Sequence, residues 1–193
     1  MKDFFGKHAL EPVWQAEARL RQGQLPPKLD MWLLDGSSLT RRLQQHCTGR
    51  FSVQVLRLGW MRPMLNEART LGVPYQQTAL IREVHLLCDG QPWVFARTVI
   101  PLSSLRGKLR RLLGLGNRPL GAVLFADPHM RRSPIEVAQI HHGESLYLDA
   151  TKRHPSQHAI WGRRSVFHLG GAPLLVSEIF LPDHPAASGG GSR

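Results

Sequence analysis

The sequence predicts an α+β protein built on a single antiparallel sheet of about six strands with helices packed on it. Three observations carry this. The apolar spacing switches from helical to alternating near residue 51. Asp89-Gly90 separates two strand-like runs and reads as a tight hairpin turn. Gly170-Gly171 separates a second such pair. Hairpin connections make antiparallel neighbours, which sets the class. A chain of 193 residues with 42% apolar content suits one domain with a sizeable core.

Leu10, Val13, Trp14, Ala18 and Leu20 recur at near-helical spacing, so residues 1–30 are expected to hold a helix ended by Pro26-Pro27. Asp30–Leu34 reads as a helical turn, and Ser37 or Ser38 caps a helix through Arg41, Leu43 and Gln45. Phe51, Val53 and Val55 alternate with polar residues and form the first strand. Residues 61–78 are irregular, then Ala79–Cys88 and Pro92–Pro101 pair as a hairpin. Residues 102–114 return to helical spacing, and Pro119–Phe125 is a further short helix. Ser133–Ile140, Arg164–Leu169 and Pro173–Leu181 complete the strands. Residues 141–160 are polar and without period, and read as an inserted loop. Residues 1–182 form the domain, and 183–193, ending SGGGSR, a flexible tail.

The formal charge is +11, from 25 Lys+Arg and 14 Asp+Glu. Arg106–Arg118 carries five bases and no acid, but the rest of the surplus is scattered in pairs such as Arg41-Arg42 and Arg131-Arg132. With no aromatic-interleaved basic strand and no zinc-finger spacing, a solvated basic face is expected and no nucleic-acid partner. No apolar run approaches the length of a transmembrane helix and no secretory signal stands at the N-terminus, so a cytoplasmic location is expected. Cys47 and Cys88 make no disulfide framework; Cys88 reads as a buried, inert thiol, and no bond between the two is expected. His141, His142, His154 and His158 lack a convincing ligand spacing, so no metal is expected. His85 beside Glu83 reads as a surface pair rather than a catalytic dyad, and no phosphate-binding glycine loop or nucleophile elbow is present.

Charges that interrupt apolar strand faces are more informative. Arg82 shares a face with Leu80, Val84, Leu86 and Cys88. Glu178 shares one with Leu174, Val176 and Phe180, and Arg97 one with Trp93, Phe95 and Val99. A buried lone charge costs several kcal/mol, so each needs a partner. One reading is an Arg–Glu pair inside the core. The other is a closed apolar pocket in which an arginine fork grips a carboxylate ligand.

The strings WLLDGSSLTRRL (32–43), IREVHLLCDGQPWVFARTVIP (81–101), RPLGAVLF (118–125), WGRRS (161–165) and PLLVSEIFLP (173–182) resemble the chorismate pyruvate-lyase family, collinearly over residues 28–182. The resemblance implies a monomeric antiparallel α+β fold with an enclosed pocket. It implies conversion of chorismate to 4-hydroxybenzoate and pyruvate for ubiquinone biosynthesis, without metal or organic cofactor. The family's substrate-binding positions fall on Arg82, Glu178, Leu120 and, where the family usually has methionine, Leu39. Arg82 is expected to anchor the ring carboxylate, Glu178 to bond near the departing ether oxygen or the product hydroxyl, and Arg97 to engage the enolpyruvyl carboxylate. Flaps near 33–45 and 100–118 imply tight product retention. The alternative is a non-enzymatic small-acid sensor, since the fold resembles the effector domain of some transcription regulators; the 30–50 residues before the first strand are too few for a winged helix-turn-helix and its linker.

Overall fold

The computed structural model describes residues 10–105, 107–151 and 158–187. Its elements in chain order are β1 (Gln15–Ala16), α1 (Asp30–Leu33), α2 (Leu39–His46), β2 (Phe51–Met61), α3 (Leu65–Leu71), β3 (Ala79–Cys88), β4 (Gln91–Pro101), α4 (Leu120–Leu124), β5 (Arg131–Arg132), β6 (Glu136–Ile140), α5 (Ser145–Thr151), β7 (Ile160–Leu169) and β8 (Ala172–Phe180). All strands join one antiparallel sheet in the order β1-β6-β7-β8-β4-β3-β2, with β5 pairing β7 beside that path. The sheet therefore has eight strands rather than six; the two added ones, β1 and β5, are two residues long.

Both hairpins are tight. Asp89 and Gly90 have φ of 48° and 79°, and Gly170 and Gly171 of 57° and 81°. Turns with two positive φ values match the right-handed strand twist, which explains the Asp-Gly and Gly-Gly dipeptides. In β3–β4 the register shifts between Leu86 and Leu87: Leu87 faces Pro92 but Leu86 faces Val94, so Trp93 is bulged out. Beyond the bulge Arg82 faces Thr98 and Glu83 faces Arg97.

The two sheet faces are covered differently. On one, α1 and α2 bury Trp32, Leu33, Leu39 and Leu43 against Val84, Leu86, Val94 and Phe180. Beside them, 3-10 turns over Gly107–Gly114 and helix α4 bury Leu109, Leu112, Leu120 and Leu124 against Leu80, Ile100, Phe167 and Val176. On the other face α3 and α5 cover Ile81, Val99, Ile179 and Ile140. Helix α2 starts at Ser38, whose hydroxyl accepts the Arg41 N–H at 3.4 Å. Helix α3, in the segment read as irregular, is capped by Glu67 and by Glu11, whose carboxylate accepts the N–H groups of Leu65 and Asn66 at 2.7 and 2.8 Å.

Four expectations need correction. Residues 10–20 form no α-helix, only a single 3-10 turn over Glu17–Arg19: Leu10 and Val13 stay exposed, and Gln15 and Ala16 pair with Val137 and Glu136. A short isolated helix is marginal, and the open edge of β6 offers the backbone partners instead. Within 141–160, Ser145–Thr151 is a helix that buries Leu146, Tyr147 and Ala150, not a loop; His154 lies outside the described residues. In the supposed tail, His184 is wholly buried, 4.5 Å from the Trp32 ring centroid and 5.1 Å from that of Phe180. Cys47 and Cys88 form a disulfide, with Cα atoms 5.7 Å apart. Pairing of β2 with β3 brings the α2–β2 connection beside the β3 turn, where Asp89 accepts the Arg50 N–H at 2.7 Å, so residues 41 apart in sequence meet. Among the described residues no helix is long and apolar enough to cross a membrane.

Candidate functional site

Between the two clusters on the α1/α2/α4 face lies a pocket whose mouth and interior together hold about 520 Å³ of space, part of it open to solvent. Strands β3, β4, β8 and β7 supply its floor through two cross-strand rows: Arg82, Thr98 and Val176, a row that Ser165 continues just beyond the lining, then Val84, Ala96, Glu178 and Arg163. Ser37, Leu39 and Thr40 form one wall, and Pro119, Leu120, Gly121, Leu124 and Phe125 the other. Gly121 permits this closure: a Cβ there would lie 3.1 Å from the Thr40 hydroxyl and 3.3 Å from that of Ser38. The cavity thus has an apolar body with a few fixed polar groups.

Arg82 is 5% exposed. One terminal nitrogen donates to the carbonyls of Gly116 and Arg118 at 2.9 and 3.1 Å. Its Nε is buried with no hydrogen-bond partner, and among the described residues no carboxylate forms a salt bridge with Arg82. Burial pushes its pKa below the usual arginine value. It is a cation whose remaining donors are ready for an anion.

Glu178 has a partner, but it is not Arg82. Arg163 Nε donates to Glu178 Oε2 at 2.6 Å, and Arg163 also donates to the carbonyls of Trp32 and Asp35 at 2.7 and 2.5 Å. That arginine ties the loop before α2 to the cavity floor and fixes the Glu178 carboxylate. Arg132 completes the charged lining: its Nε donates to Ser165 Oγ at 3.0 Å and a terminal nitrogen to the Gly36 carbonyl at 2.9 Å, with its guanidinium carbon 5.1 Å from the Phe167 ring centroid.

Of the predicted site residues, Arg82, Glu178, Leu39 and Leu120 line this one cavity. Arg97 does not, and its assignment to a substrate carboxylate is corrected. It points through the opposite face, where it donates to Glu67 at 2.8 and 3.1 Å and to Glu83 at 2.5 Å. Burial opposes its charge, but the two carboxylates outweigh that and hold its pKa above the usual value. The cause of the misplacement is the Trp93 bulge: an unbulged hairpin would set Arg97 opposite Arg82, and a one-residue slip turns a side chain to the other face. His85 and Glu83, expected at the surface, are likewise buried on that face.

Sequence reasoning missed Arg163 and Arg132. Arg163 alternates with Trp161, Ser165 and Phe167, so the criterion that found Arg82 also finds it. It was lost because the strand was expected to start at Arg164, whereas β7 starts at Ile160. Arg132 sits on a two-residue strand, too short to show a period.

The fold and lining together define a sheet-based α+β protein whose largely apolar pocket is edged by Arg82, Arg132, Arg163 and Glu178. Comparison with known proteins agrees and goes further. The family model described as Chorismate lyase matches residues 10–186. A protein of Marinobacter nauticus named "Probable chorismate pyruvate-lyase" is 45% identical over 151 residues, covering 78% of this chain and 74% of the relative. One of the same name from Azoarcus sp. strain BH72 is 44% identical over 178 residues, covering 89% and 88%. The chain belongs to the chorismate lyase family, a family of lyase enzymes. Among solved structures, the effector domain of PhnF from Mycobacterium smegmatis aligns with a TM-score of 0.51 at 16% identity, over 78% of this chain and 91% of that one. That likeness concerns the fold alone.

Proposed function

We propose that the protein eliminates pyruvate from chorismate to leave 4-hydroxybenzoate. The observation that carries this reading is Arg82, a buried arginine with no carboxylate partner among the described residues, lining a largely apolar pocket in a chain of this family. Arg82 grips the ring carboxylate. Glu178, held by Arg163, accepts a hydrogen bond from the ring hydroxyl that the product keeps. Leu39, Leu120, Leu124 and Phe125 pack on the ring and exclude water.

In the reaction the C3–O bond breaks, the ring loses its C4 hydrogen, and the enolpyruvyl methylene gains a hydrogen to become the pyruvate methyl. The ring becomes aromatic, so the driving force is intrinsic to the substrate. A six-membered cyclic transfer of the C4 hydrogen to that methylene balances the equation without a protein base. The pocket's task is then to hold the reactive conformer and keep it dry. The same closure favours retention of the product. No cofactor is required by this scheme, and 4-hydroxybenzoate is the ring precursor that ubiquinone synthesis consumes.

The test is incubation of the purified protein with chorismate in buffer containing a chelator. Equal amounts of 4-hydroxybenzoate and pyruvate are expected. Tight chorismate binding without turnover would instead establish a sensor.

A further inference from the structure

The charged lining of the cavity contains more than an anchor for one carboxylate. Three arginines, Arg82, Arg132 and Arg163, face a single carboxylate, Glu178. The excess is two positive charges, the complement of a dianion. Arg163 is spent on Glu178 and two carbonyls. Arg82 serves one carboxylate. Arg132 has its Nε and one terminal nitrogen engaged, by Ser165 and Gly36, and among the described residues its second terminal nitrogen has no hydrogen-bond partner.

Position matters as much as charge. Arg82 and Ser165 are the two ends of one cross-strand row, joined through Thr98 and Val176. Neighbouring strands lie about 4.8 Å apart, so the ends of this row are separated by roughly 14 Å at the backbone. Arg132 is latched to the far end by its bond to Ser165, with its guanidinium against Phe167. The cavity is therefore cationic at both ends, with Glu178 on the adjoining row between them.

We infer that Arg132 is a second substrate-binding residue, which receives the side-chain carboxylate of a dianionic ring substrate while Arg82 holds the ring carboxylate. This deepens the lyase reading and rests on it for the identity of the substrate. It gives a physical basis for telling substrate from product: chorismate has two carboxylates and engages both arginines, whereas 4-hydroxybenzoate has one and engages only Arg82. Burial depresses the Arg132 pKa, and the nearby Glu178 charge counters that only in part, so an incoming carboxylate meets a donor that is incompletely compensated.

The experiment compares ligands that differ in the second carboxylate. Arg132→Met is expected to lower kcat/KM for chorismate by roughly 10- to 100-fold, the loss of one or two charge-assisted hydrogen bonds. Its Kd for 4-hydroxybenzoate stays within about threefold of wild type, which also shows that the variant is folded. The unreactive dicarboxylate 3-(carboxymethoxy)-4-hydroxybenzoate binds wild type more tightly than 4-hydroxybenzoate, and that preference disappears in Arg132→Met. Arg82→Met, in contrast, weakens both ligands. Should the Met variant not fold, Arg132→Lys shows the same selective loss in smaller measure. Equal weakening of the mono- and dicarboxylate by Arg132→Met, or of neither, overturns the inference. A wild type that binds both ligands but leaves chorismate intact overturns the lyase reading alone, and the affinity comparison still decides the role of Arg132.

Discussion

Replacing Arg97 or Arg82 by methionine removes a buried guanidinium from the same sheet, yet the surroundings predict different outcomes. Arg97 is the partner of Glu67 and Glu83, which are 2% and 3% exposed. Removing it strands two buried carboxylates, leaving Arg57 at 3.4 Å from Glu83 and the more distant charge of Arg164 facing Glu67. The cost of breaking such a site is about 3–5 kcal/mol, equivalent to a fall in Tm of roughly 6–20 °C for a domain of this size. Among the described residues Arg82 has no carboxylate to strand. Its loss forfeits two charge-assisted bonds to carbonyls, worth about 1.5–3 kcal/mol each, but also removes a desolvation cost of several kcal/mol. Arg82→Met is therefore expected to stay within about 2 kcal/mol of wild type, since these two contributions largely cancel. Urea denaturation at pH 7 measures both. Repeating it with 4-hydroxybenzoate at one hundred times its Kd adds about 2.7 kcal/mol to wild type and nothing at that concentration to Arg82→Met. A loss of 4 kcal/mol or more in Arg82→Met (on the order of the Arg97 effect), or ligand stabilisation undiminished in that variant, would refute the reasoning that Arg82 is a cation awaiting an anion.

Two further outcomes follow from the packing. Burial, with the charges of Arg42 and His46 adding to it, pushes the His184 pKa down to about 4. An unfolded histidine takes up its proton near pH 6.5, so the stability from keeping this ring neutral is complete above that pH and is lost as pH falls toward 4, amounting to about 3 kcal/mol. Urea midpoints at pH 7 and 4.5 should show the loss in wild type and a smaller one in His184→Gln; an identical pH slope in both would contradict it. Gly162→Ala places a Cβ 2.5 Å from Ile179 Cδ1 and 3.3 Å from the Glu178 carbonyl. Overpacking of this kind costs about 1–3 kcal/mol, and thermal unfolding reads it directly; an unchanged Tm would mean that Ile179 swings aside freely.

The long strands were legible because alternation and two-residue turns are local signals, and Arg82 and Glu178 stood out because each interrupts an apolar alternation. What escaped depends on tertiary context. The Trp93 bulge shifts the register by one residue and carries Arg97 out of the pocket, and nothing in the β4 alternation announces it. Arg163 was hidden by a strand boundary placed a few residues late. The Cys47–Cys88 bond and the burial of His184 both arise from segments brought together only when the sheet forms. Helix α5 was obscured by its polar flanks, though Leu146, Tyr147 and Ala150 hold its buried side.

The central claim is that chorismate is turned over in the cavity anchored by Arg82. The most direct measurement is kcat/KM for chorismate in Arg82→Met, corrected for the folded fraction. Losing two charge-assisted bonds to the ring carboxylate predicts a fall of about 10²- to 10⁴-fold. Turnover within a factor of about three of wild type, in a folded variant, would place the chemistry elsewhere.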